Sequence, residues 1–146
     1  DGTALVFAET QGRRLSKYWL SGPQAGTITP LAVNLPGMPD NISTGADGRI
    51  WVALVTPVNA AAEWLAPRPT ILRQLVWRLP DALQPQMPLE VWAVAFDPDS
   101  GEAVSGVRMP HRQFGQVTGL VERDGQLWMS SIGVPALAYC AIPERR

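Results

Sequence analysis

Along most of this chain, apolar runs of seven or eight residues are punctuated by Gly, Pro, Asn and Asp. Residues 3–9, 13–20, 27–33, 49–55, 91–97, 102–109, 117–123, 126–132 and 136–142 each have the composition and length of a β-strand, with turn formers between them. This cadence predicts an all-β fold. In LPGMPDNISTGADGRIWVAL, residues 35–54, the same reading gives a turn, a buried strand, a second turn and another strand. It places the acidic pair Asp40-Asn41 at the entrance of the first of these strands.

A weak internal repeat narrows the fold further. DGTALVFAE, DGRIWVALV and DGQLWMSSI each set Asp-Gly ahead of an apolar run, beginning at Asp1, Asp47 and Asp124. The first interval is about the length of one four-stranded propeller blade. The second is longer, and the excess falls in residues 59–86, where Ala, Leu, Glu and Arg replace the strand pattern. There Ile71, Leu72, Leu75, Val76 and Leu79 follow the spacing of an amphipathic helix, bounded by Pro67, Pro69, Pro80 and Pro85. One or two helices inserted between strands of a single blade are therefore expected. The remaining residues suffice for about three blades of roughly 40 to 45 residues each. A closed ring needs at least about four, so the chain reads as part of a propeller. The alternative is an unrelated α+β domain with coincidental Asp-Gly turns.

Composition excludes several partners. The chain has 146 residues, 46% of them apolar, enough for a packed core. Twelve basic and 13 acidic residues, spread without blocks, leave no electrostatic footprint for nucleic acid or an anionic membrane. No apolar run approaches the roughly 20 residues of a membrane helix, and no signal peptide is recognisable. The compartment is left open, cytoplasmic if the source is a bacterium. Cys140, the single cysteine, allows no internal disulfide, and its apolar neighbours suggest an inert buried thiol.

The stretch VFAETQGRRLSKYWLSGPQAGTITPLAVNLPGMPDNISTGADGRIWVALV resembles the strictosidine synthase-like proteins. RPTILRQLVWRLP and VTGLVERDGQLWMSSIGVPALAY resemble the insertion and final blade of the same family, and LPGMPDNI is the most specific part. The resemblance implies the C-terminal part of a six-bladed propeller with a central site reached from one end. Related lactonases and esterases hold calcium on the propeller axis with Asp, Asn and Glu. By motif position, Asp40 and Asn41 match two of those ligands. Calcium takes roughly six to eight hard oxygen ligands, which a carboxylate beside a carboxamide can begin to supply. On composition alone, Pro-Asp-Asn reads equally as turn chemistry.

Two departures qualify the resemblance. The founding enzyme condenses an amine with an aldehyde, using a glutamate at the position that Thr118 occupies here. Threonine has no pKa near working pH and cannot serve as that base. The family's Asn-Gly motif upstream of Asp1, another source of a ligand, is also absent.

Other residues have two readings each. His111, the only histidine, is either a surface residue in its loop or a base facing the central channel. Glu9 either makes a structural hydrogen bond or lies at a pocket rim. Tyr18, Trp19, Trp51, Trp77, Trp92 and Trp128 could form an aromatic cage, but tryptophans in strand patterns normally pack between sheets. Neither a serine-hydrolase motif nor a phosphate loop occurs.

Expectation therefore centres on calcium-assisted hydrolysis of a small ester or lactone in a longer protein, with Asp40 and Asn41 as metal ligands and the isolated segment inactive. A non-catalytic scaffold that self-associates, or completes itself with missing N-terminal blades, is the alternative. Strictosidine synthesis ranks third.

Overall fold

The computed structural model describes residues 2–80 and 88–144. Within them lie ten strands and two short helices, in three antiparallel sheets that do not close on themselves. β1 (Ala4–Glu9), β2 (Arg14–Trp19) and β3 (Ile28–Ala32) form the first sheet, in that order. The middle sheet runs β4 (Gly37–Thr44), β5 (Ile50–Pro57), β6 (Glu90–Phe96) and β7 (Ala103–Pro110). The third contains β8 (Val117–Arg123), β9 (Gln126–Ser131) and β10 (Leu137–Ala141). Within each sheet sequential strands pair, as in consecutive propeller blades.

The middle sheet explains why residues 50–55 are apolar without alternation. Successive side chains on a strand point to opposite faces. Trp51, Ala53, Val91, Ala93 and Ala95 pack one face against Val117, Leu120, Leu127 and Met129 of the third sheet. Ile50, Val52, Leu54, Trp92 and Phe96 pack the other against Leu15 and Ala32 of the first. Both faces are covered, so odd and even positions are alike apolar.

The Asp-Gly repeat has a defined structural role. Arg123 pairs with Gln126, leaving Asp124-Gly125 as a two-residue hairpin with φ of 51° and 76°. Positive φ at both positions is what a tight hairpin with right-handed strand twist needs. Asp47-Gly48 turns β4 into β5, with Gly48 at φ 84°. Each of these turns joins the first strand of its sheet to the second.

The helical insertion falls between β5 and β6, inside one sheet, as the spacing predicts. α1 (Ala60–Leu65) starts where the Asn59 side chain accepts from the amides of Ala61 and Ala62, satisfying two orphan donors of the first turn. α2 (Thr70–Trp77) begins after Pro69, and Arg73 donates back to the Ala66 carbonyl, holding the helices together. Residues 81–86 of the expected insertion lie outside the described residues. Arg13 reaches across from the first sheet to Glu63 at 3.3 Å.

One expectation needs correction. Asp40 and Asn41 do not stand at a strand entrance, because β4 already starts at Gly37. Gly37 and Pro39 look like turn residues, yet β4 is an edge strand of its sheet, where proline is tolerated.

Candidate functional site

The pairing of β4 with β5 is interrupted at Asp40-Asn41. Pro39 lies opposite Leu54 and Ile42 opposite Val52, so Asp40 and Asn41 together face Ala53 alone. Two residues against one is a β-bulge, which breaks strict alternation and re-aims side chains. A matching interruption occurs in β8. Val117 pairs with Ser131 and Gly119 with Ser130, leaving Thr118 unmatched.

The two bulges are joined. Asn41 Nδ2 donates to the Thr118 carbonyl at 2.8 Å, linking the edge strands of neighbouring sheets. With its donor side committed, the carboxamide presents Oδ1 as an acceptor. The half-buried Asp40 carboxylate makes no hydrogen bond or ion pair with the described residues. A carboxylate and a carboxamide oxygen on one bulge suit a hard cation. No group of three or more His, Cys, Asp and Glu among the described residues could hold a metal. The pair thus supplies at most part of a coordination shell.

Below this bulge lies a second cluster. Glu122 on β8 accepts the Trp51 indole N–H at 2.7 Å across the boundary between sheets. Arg49 binds Asp47 through two nitrogens, both at 2.6 Å, and lies over the Trp51 ring. The Asp47 hydrogen bond, with further help from Glu122, raises the Arg49 pKa above its ordinary value. Gly45 leaves room for the cluster: a Cβ there would lie 2.5 Å from Glu122 Oε2 and 2.9 Å from Arg49 Cγ.

The remaining residues singled out from the sequence occupy separate places. Glu9 accepts from Arg14 at 2.7 Å and from buried Ser16 at 2.6 Å. These bonds hold its carboxyl below the usual range, the Arg14 bond most strongly. This geometry ties β1 to β2 and is the structural one of its two readings. His111 is exposed, and its Nδ1 accepts from the amides of Gln113 and Phe114 at 3.2 and 2.9 Å, closing the loop before β8. Trp51 and Trp92 are core residues, and Arg108 stacks on Trp92 at 3.7 Å. Trp128 packs on Tyr139 with ring centroids 4.7 Å apart, while Trp19 donates to Thr29. The Trp77 side chain is outside the described set. Cys140 is half-buried, and burial raises its thiol pKa.

The described strands therefore define a segment of a propeller, with the coupled bulges of β4 and β8 as its most distinctive polar feature. Strictosidine synthase-like protein 3 of Arabidopsis thaliana is 34% identical over 98% of this chain, which matches 38% of that relative's length. Strictosidine synthase-like protein 10 of the same plant is 32% identical over 94% of the chain and 38% of its own length. The adipocyte plasma membrane-associated protein of Salmo salar is 29% identical over 94% of the chain and 34% of its length. No protein-family model matches. The chain is related to the strictosidine synthase-like proteins over nearly all of its length, and spans under two-fifths of theirs.

Proposed function

We propose that the longer protein containing this segment hydrolyses a small ester or lactone with the assistance of calcium at the axis of a six-bladed propeller. The observation that carries the reading is the β4 bulge, where Asp40 and Asn41 offer oxygens that no described residue engages. Asp40 and Asn41 would be two of the ligands, and the other oxygens would come from beyond the described residues. When bound, such an ion polarises a carbonyl and favours ionised water. Asp40 contributes negative charge, and Asn41 contributes a neutral oxygen whose direction is fixed by its bond to Thr118. The substrate would be a small molecule with an electrophilic carbonyl.

Amine-aldehyde condensation has less support. Thr118 offers no carboxylate, and the nearest acid on β8, Glu122, is engaged by the Trp51 indole. A non-catalytic role in assembly is favoured by a different observation, the edges of β1 and β10 that pair with nothing among the described strands.

The deciding experiment measures calcium-dependent arylesterase and lactonase turnover in the full-length protein and in Asp40→Asn. The reading expects a loss of at least about a hundredfold, with weakened calcium binding by calorimetry. Equal turnover in the two proteins would remove it.

A further inference from the structure

We infer that the end of the molecule carrying α1 and α2 docks on the surface of an anionic phospholipid bilayer. The exposed apolar side chains of the helices enter the headgroup region, and the arginines beside them meet lipid phosphates and carboxylates. The inference rests on how the fold distributes its side chains and is independent of the metal reading.

The charges nearly balance over the whole chain, but the fold sorts them by end. At one end lie the turns β4–β5, β6–β7 and β8–β9, brought together where Ile50 pairs with Phe96 and where Glu122 approaches Gly45. These turns hold Asp47, Asp97, Asp99, Glu102 and Asp124 against Arg49 and Arg123. The insertion leaves the opposite end of the middle sheet, after Pro57, and the loop before β8 lies at that end too. There Glu9, Glu63 and Glu90 are each paired, with Arg14, Arg13 and Arg108. Arg68, Arg73, Arg78 and Arg112 make no ion pair among the described residues. From Trp64 to Pro80 the sequence contains the first three of these arginines and no acid.

The basic end is also the apolar one. Trp64, Ile71, Leu72, Leu75 and Leu79 are all at least 38% exposed. Among the described residues, neither helix contributes to the cores between the sheets. Ile71, Leu72 and Leu75 share a face of α2, because residues three and four apart align on a helix. Arg68 lies over the Trp64 ring at 3.9 Å, so cation and indole form one unit. Ile132, 73% exposed just beyond β9, carries apolar surface onto the same end of the third sheet. Trp, Leu and Ile on one face with arginines around them is the composition of a helix that lies in a membrane interface. A second copy is a poorer occupant. A two-fold contact sets a patch against itself, which would bring these arginines together, and like charges facing each other are costly. An anionic lipid surface supplies the opposite charge.

Site-directed fluorescence tests this in the full-length protein carrying Cys140→Ser. An environment-sensitive fluorophore is attached at Ile71→Cys or, at the acidic end, at Ser100→Cys. With vesicles of phosphatidylcholine and phosphatidylserine, emission from position 71 should shift to the blue and rise severalfold, while position 100 stays unchanged. Vesicles of phosphatidylcholine alone should need at least about tenfold more lipid for the same response. Adding Arg68→Gln and Arg78→Gln should raise the lipid requirement about fivefold for each arginine removed. No change at position 71, or equal change at both positions, would overturn the inference. So would a lipid requirement that ignores phosphatidylserine or the two arginines. A lipid-free shift at position 71 that grows with protein concentration would also overturn it, and would identify a second copy as the occupant.

Discussion

Replacing Trp51 with Phe tests how the middle and third sheets are held together. Trp51 is fully buried, and its indole N–H reaches Glu122 at 2.7 Å. Trp51→Phe deletes a hydrogen bond to a charged acceptor, a loss of about 1.5–3 kcal/mol, at the low end because Glu122 is only half-buried. Loss of the five-membered ring leaves a void in a core that includes Val117, Leu120 and Leu127, adding about 1 kcal/mol. The expected total is about 2–3 kcal/mol, read from urea unfolding followed by circular dichroism. A double-mutant cycle with Glu122→Ala separates the two contributions. If the bond matters as argued, the coupling energy is at least about 1 kcal/mol. Coupling below about 0.5 kcal/mol, with Trp51→Phe still destabilising, would refute the hydrogen-bond reasoning and leave only packing.

Other substitutions make sharper contrasts. Gly101 has φ 73°, and a Cβ there would collide with the Leu31 carbonyl of β3. Gly101→Ala should cost about 3 kcal/mol or more, while Gly22→Ala, at φ 84° with nothing nearby, should cost about 1 kcal/mol in the same unfolding assay. Glu9 has a lowered pKa, so its contribution is present above its ordinary value of 4.5 and is lost as pH falls through the folded value. Acid titration of stability should therefore flatten below about pH 4.5 in Glu9→Gln relative to the parent. Burial raises the Cys140 pKa, which predicts alkylation by iodoacetamide at pH 8 several-fold slower than for an unhindered thiol peptide.

The strands were largely legible because their apolar runs are short and the turns between them use Gly, Asp and Asn. The insertion was legible for the opposite reason, since helical spacing over Ile71–Leu79 conflicts with strand alternation. β4 was harder to delimit. Its buried positions are Gly37 and Pro39, which carry turn propensity, and only the edge position in the sheet reconciles them with a strand. At the site, Asp40 and Asn41 were conspicuous as residue types, but their bulge was not, because register is a property of two strands. The bond from Asn41 to Thr118 was also hidden, since it uses a backbone carbonyl and leaves no trace in side-chain identity. The Trp51–Glu122 contact spans 71 residues, and no local pattern announces it.

Because the middle sheet is roofed on both sides, β5 has no weather side. On an ordinary half-exposed strand, every second residue tolerates a charge. Along Ile50–Leu54 every position has a core behind it, all 8% exposed or less. Drift in this stretch is thus confined to swaps of similar bulk, and an aspartate or lysine anywhere within it would strand an ion in hydrocarbon.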